Sequence, residues 1–214
     1  MTKTMKKTSL LIAILCLVAS SVSAQLEKGS IMLGSTSTVA MGGGWGSELL
    51  GLGFSKTKYK QGTVTEVDYT MTYFNFLPRA GYFIMDNLVA GLEAVVSGYV
   101  EKDVDDDDTW KESLFAAGPF VRYYYPLDKI YPFAEAEFLF GSSNENWLGD
   151  EDNAGIFLIS GFVGASVPLG GKVTFDVMAG YTRMTETYKD VEDGGKNKYI
   201  TGGFGIRMGF SVYL

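Results

Sequence analysis

The chain has 214 residues, 14% of them aromatic, with 27 glycines, a formal net charge of −7 and no histidine. Without histidine, a nucleophile–histidine triad and histidine-ligated zinc are excluded. The acidic balance argues against nucleic acid as a partner, which needs a basic face.

Taken in chain order, Lys3, Lys6 and Lys7 precede an apolar run over 10–19, and Val22-Ser23-Ala24 offers a small-residue cleavage site. That is the pattern of an export signal, and the run is too short to span a bilayer as a mature helix. The expectation is a signal peptide over 1–24 and one mature domain over 25–214 lying outside the cytoplasm. The single cysteine, Cys16, falls inside the signal, so mature disulfides are excluded. Leu15, not a small residue, stands before it, which argues against lipidation.

Beyond the signal no segment keeps a helical apolar period. Alternation of period two predicts strands with two different faces. Met85-Asp86-Asn87, Leu127-Asp128-Lys129 after Pro126, and Leu169-Gly170-Gly171 after Pro168 have turn composition between apolar stretches. Longer polar stretches over 39–71, 101–111, 142–153 and 189–197 read as loops and alternate with these turns. Eight strands follow, at 29–38, 72–84, 87–100, 112–126, 130–141, 155–168, 172–187 and 198–214. The first loop leaves an alternative open. Residues 48–59 and 63–72 have the composition of a hairpin extending the first two strands, and a ten-strand barrel is compatible with it.

The two faces differ in kind. One carries Leu88, Leu92 and Val96, then Phe115, Val121, Phe138 and Phe140, and finally Phe204, Ile206, Met208 and Phe210. The other carries glycines and mid-strand charges. A soluble lipocalin-like barrel would turn its apolar face inward around a ligand. An unbroken apolar face with charges opposite suits lipid outside and a narrow filled lumen inside. Short turns at one rim and long loops at the other complete the pattern of an all-β, eight-stranded antiparallel up-and-down transmembrane β-barrel. Tyr82, Tyr123, Tyr125, Tyr131 and Tyr181 lie near strand ends, where aromatic girdles belong. The chain is too short for a sixteen-strand porin.

Inward parity and equal depth from the short-turn rim bring Arg79, Glu93, Arg122, Glu135, Glu137, Asp176 and Arg207 into one layer. Ions in so narrow a space should pair, and the guanidinium fork favours carboxylates. Such a layer serves either as a gate in a narrow pore or as a static plug. Glu135 and Glu137 form the one candidate catalytic carboxylate pair, with no nucleophile signature nearby. The acidic runs Asp105, Asp106, Asp107, Asp108 and Asp150, Glu151, Asp152 fall in the outer loops, together with Trp45, Trp110 and Trp147. They lack the alternating spacing of a calcium loop and read as solvated acidic loops. Neither a metal nor a cofactor is expected.

Leu77-Pro78-Arg79-Ala80-Gly81-Tyr82-Phe83, Asn87-Leu88-Val89-Ala90-Gly91-Leu92, Gly118-Pro119-Phe120-Val121-Arg122-Tyr123-Tyr124 and the closing Gly209-Phe210-Ser211-Val212-Tyr213-Leu214 carry a resemblance. The chain resembles the small outer-membrane β-barrel family of OmpA- and OmpX-like proteins, particularly its Bacteroidetes-type members. The resemblance implies a bacterial outer-membrane location with both termini in the periplasm. It also implies a monomer in contact with outer-membrane lipid, and assembly by the insertion machinery that reads the last strand, although the family often ends in Phe and this chain ends in Leu214. Enzymatic small barrels use histidine, so the resemblance points away from an enzyme. Three roles stay open: a structural, surface-interaction or narrow-pore role; transport of small hydrophobic solutes with a lateral exit between strands, for which Leu158, Phe162 and Met178 are candidate lumen residues; and adhesion through the outer loops.

Overall fold

The computed structural model describes residues 26–42, 53–61, 64–103, 109–125, 127, 129–147, 150–189 and 196–214. The expected signal and the acidic run Asp105–Asp108 lie outside the described residues. The strands are β1 (Ile31–Gly42), β2 (Gly53–Gln61), β3 (Val64–Met85), β4 (Leu88–Asp103), β5 (Thr109–Tyr124), β6 (Tyr131–Trp147), β7 (Asp150–Pro168), β8 (Val173–Lys189) and β9 (Lys196–Tyr213). Each pairs antiparallel with its chain neighbour from β2 to β9, and β1 pairs with both β9 and β3. The sheet therefore closes on eight strands. β2 is a ninth that extends the upper half of β3, from Gly53 opposite Tyr73 to Gln61 opposite Val64.

This corrects the loop assignments. A membrane-crossing strand needs about 9–11 residues, yet β3 has 22 and β7 has 19. Within 39–71, Gly53–Gln61 and the start of β3 from Val64 form a strand hairpin, and 142–147 and 150–153 belong to β6 and β7, paired to Trp147 opposite Asp150. Trp110, Trp147, Glu151 and Asp152 stand in strands. Polarity along those stretches reports water on both faces and says nothing against a backbone ladder. Polar cross-strand contacts continue it, such as Asn144 Nδ2 donating to Asn153 Oδ1 at 3.0 Å.

The outward face is apolar to a degree that water does not tolerate. Leu92 and Val163 are each 67% exposed and Phe204 is 73% exposed. On β8 the outward apolar run ends at Tyr181, and Arg183, Thr185 and Thr187 follow on the same face. Tyr82, Tyr123 and Tyr125 are exposed at the short-turn ends of their strands as expected, whereas Tyr181 is exposed at the middle of β8, where the outward apolar run ends. Tyr131 departs from that pattern and packs inward against the core.

Tight coiling of eight strands needs close backbone approach. A Cβ on Gly91 would strike the Ala80 carbonyl, and one on Gly118 would strike the Phe138 carbonyl. At the first turn, Asn87 adopts φ 65°, a conformation that asparagine tolerates. The β1–β3 seam is the ladder's weak point. Its register ends at Thr36 opposite Leu77. Beyond it the Asn75 side chain replaces the ladder. Thr38 N donates to Asn75 Oδ1 at 2.7 Å, and Asn75 Nδ2 donates to the Thr38 carbonyl at 3.1 Å.

Candidate functional site: the luminal ion-pair layer

The interior is stacked in three zones. Towards the long hairpins lies an apolar cluster that includes Leu77, Val95, Leu114, Leu139, Leu158 and Met184. Towards the short turns lies an aromatic cluster with Phe83, Phe120, Tyr124, Phe133, Phe162 and Tyr213, joined by Leu26 from the segment before β1. The Leu26 carbonyl accepts the Asn87 N–H at 2.7 Å, which ties that segment across the end of the barrel. The expected lumen residues thus separate: Leu158 joins the first cluster, while Phe162 and Met178 join the second.

Between them sit the charges. Alternation along the strands puts Arg79 on β3, Glu93 on β4, Arg122 on β5, Glu135 and Glu137 on β6, Asp176 on β8 and Arg207 on β9, all inward and all buried. Register sets Arg79 opposite Glu93 and Arg122 opposite Glu135. The seven form one alternating chain: Asp176, Arg122, Glu135, Arg79, Glu93, Arg207, Glu137. Arg122 Nη1 lies 2.7 Å from Asp176 Oδ2, and its Nε lies 2.6 Å from Glu135 Oε2. Arg79 Nη1 reaches the same Glu135 oxygen at 2.7 Å, while its Nη2 pairs with Glu93. Arg207 spans Glu93 at 3.4 Å and grips Glu137 with both terminal nitrogens, at 2.8 and 2.9 Å.

Hydroxyls complete the layer. Thr174 Oγ1 and Ser211 Oγ donate to Asp176 at 2.9 and 2.8 Å, and Arg79 Nη2 donates to Thr36 Oγ1 at 3.3 Å. Arg122 Nη1 also donates to Tyr124 Oη at 3.0 Å, and the Tyr124 and Tyr213 hydroxyls lie 2.9 Å apart. Each guanidinium also rests on an aromatic ring. Arg122 lies 4.0 Å from the Phe133 centroid, Arg207 lies 4.2 Å from Phe162 and Arg79 lies 5.3 Å from Phe120. Delocalised guanidinium stacks well in this way. Sequence reasoning did not pair these rings with the arginines. The available signal was inward parity beside a charge, as in Phe120 two residues before Arg122 and Phe133 two before Glu135.

One oxygen each of Glu93, Glu135 and Glu137 lies within 4.8 Å of the other two. That donor set suits a hard cation, but the three guanidiniums already neutralise it and occupy its approach. Both oxygens of Glu137 are held by Arg207, while both arginine contacts of Glu135 fall on its Oε2. Of the outer acidic residues, Glu151 and Asp152 are exposed on β7, and the backbone of Asp150 opens that strand.

The barrel with its apolar belt and buried polar layer is a membrane-spanning β-barrel protein. No protein-family model matches the chain, and no curated protein does either. Among solved structures, the chain is similar to Neisserial surface protein A at 14% identity, covering 86% of this chain and 95% of that one, with a TM-score of 0.40. It is also similar to the outer membrane protein OprG from Pseudomonas aeruginosa at 12% identity, covering 90% and 98%, with a TM-score of 0.43. The outer membrane protease OmpT from Escherichia coli follows at 8% identity, covering 88% and 94%, with a TM-score of 0.40.

Proposed function

We propose that the protein is a closed, non-enzymatic barrel of the bacterial outer membrane, of the OmpA- and OmpX-like kind, that works through the surface its long hairpins present outside the cell. The observation that carries this is the alternating ion-pair chain across the lumen, sealed on the short-turn side by aromatic rings and Leu26. Seven charges held by mutual pairing and ring stacking act as a plug and register lock, which leaves the hairpins as the working surface. The short turns face the periplasm, the arrangement usual for such barrels. Lipid surrounds the belt, the last strand serves the insertion machinery, and the protein is a monomer. Protease added to intact cells tests the orientation. Cleavage is expected in 104–108 or near Asp150–Asp152. Cleavage confined to 85–87, 127–129 and 169–171 would reverse the topology.

A second reading has its own support. On the outward face a groove of about 510 Å³ lies over β1 and β9, bordered by Leu33, Ser35, Ser37, Met208 and Phe210, and reaches β3 at Phe76; the β1–β3 register stops beside it, and the apolar upper cluster lies within. Passage of a small hydrophobic solute between β1 and β3 would use this seam, with Asn75 as its latch. Substituting Asn75 with alanine would then speed uptake of such a solute into vesicles carrying the refolded barrel, and an unchanged rate counts against it.

A further inference from the structure

The outer mouth of the lumen has a character distinct from the layer beneath it. Inward parity places Glu101 on β4, Glu112 on β5, Glu145 on β6, Asp152 on β7 and Glu186 on β8 around it. Glu112 stands directly opposite Glu145, and Glu145 directly opposite Asp152. Like charges in register across a sheet are unfavourable by themselves. On β4, β5, β8 and β9, Lys102, Lys111, Arg183 and Lys198 are exposed and fall on the outward register, and β2 brings Lys56 and Lys58 alongside β3.

Glu186 is the decisive residue. It is 9% exposed, points into the lumen between Met184 and Tyr188, and makes no hydrogen bond or ion pair with a described residue. Burial raises its carboxyl, and the charge of Glu145 raises it further. Glu145 is raised by burial and by Asp152. Burial raises the Tyr188 hydroxyl, as do Glu186, Glu145, Glu112 and Asp152, so these groups share one field. Beside them stand aromatic surfaces. Tyr99 and Trp110 meet edge to face at 5.5 Å between centroids, and Trp110 packs on the apolar cluster that contains Leu114, Ile156 and Met184.

We infer that this mouth binds an amphiphilic organic cation, with an ammonium or guanidinium head between Glu186 and Glu145 and an apolar or aromatic body against the part-exposed Trp110. Two observations select this class. Among the described residues, the only three carboxylates close enough to share one small ion are those of the luminal layer, so the mouth suits a larger, diffuse cation. Aromatic faces beside carboxylates also favour a cation that carries its own apolar surface. The inference does not rest on cell orientation, so a binding test on purified barrel stands apart from the topology test above.

The experiment titrates full-length mature protein in lipid nanodiscs with 2-phenylethylammonium and follows the indole N–H resonance of Trp110. 2-Phenylethanol, 3-phenylpropionate and calcium chloride serve as separate probes. The expected result is a saturable shift with the ammonium only, weakened about tenfold or more in Glu186→Gln, the loss of one charge-assisted contact. Heat-modified gel mobility verifies that Glu186→Gln is folded. Lys111→Gln, on the outward register, should leave binding unchanged within about twofold. Equal shifts with 2-phenylethanol, an equal response to calcium, absence of saturation, or wild-type binding by folded Glu186→Gln would each overturn the proposal.

Discussion

Replacing Arg122 with methionine tests the plug where it is most tightly built. Arg122 is fully buried, bridges Glu135 and Asp176, and stacks on Phe133. Methionine keeps much of the stacked volume and removes the charge. Glu135 keeps Arg79 as a partner, but Asp176 is left with neutral hydroxyls, those of Thr174 and Ser211 among them, and no cation. Orphaning a buried charge typically costs about 3–5 kcal/mol, equivalent to a drop of about 10² to 10³·⁵ in the folding equilibrium. Water entering the lumen would move the result to the lower end of that range. Urea unfolding in lipid vesicles, followed by tryptophan fluorescence, measures it. The double variant Arg122→Met/Asp176→Leu removes the orphan and should recover about half the loss or more, because a buried pair replaced by apolar groups is close to neutral. Arg183→Met, at an exposed outward position, should stay within about 0.5 kcal/mol of wild type. An Arg122→Met barrel as stable as wild type, or a double variant no better than the single one, would refute the pairing argument.

Asn75→Leu should loosen the β1–β3 seam by about 1–3 kcal/mol, since it leaves the Thr38 N–H and C=O without their side-chain partners. Hydrogen exchange at Thr38 should quicken while exchange in β6 does not. Gly91→Val should block closure or cost about 1–3 kcal/mol by forcing β4 from β3, read as loss of the heat-modifiable band. The mouth carboxyls set a pH trend whose sign follows from linkage. Glu145 and Glu186 are raised in the folded barrel, so the folded state holds their protons more tightly than the unfolded chain does. Their contribution is most favourable at acid pH and is lost as pH climbs from about 4.3, the ordinary glutamate value, through the folded values. The double variant Glu145→Gln/Glu186→Gln should therefore gain stability relative to wild type as pH rises over that span. A relative loss would contradict the sign.

Strand parity made most of this barrel legible in advance. The outward position of Leu92 and the inward position of Glu93 follow from alternation alone, and so does the convergence of three arginines and four carboxylates at one depth. The partner of each charge did not follow. Register pairs Arg79 with Glu93, but the contact of Arg207 with Glu137 crosses the lumen from β9 to β6, and only barrel closure and stagger decide that. Strand length misled for a physical reason. Composition marks where lipid ends, and the ladder continues past that point into water, so Asn144, Asn146 and Asp152 looked like loop residues. Glu145 and Glu186 were passed over because they are ordinary residues at a strand end until the barrel turns them toward one another. Asn75 looked like a polar residue in an apolar strand, and only the failing β1–β3 register gives it a task.

Ion current through the purified, refolded barrel in a planar bilayer tests the central claim most directly. A lumen filled by seven paired charges and an aromatic seal predicts no sustained unitary current from the wild-type protein at neutral pH, and the appearance of current in Arg122→Met. A steady, ohmic unitary conductance from the wild-type barrel would contradict the plug.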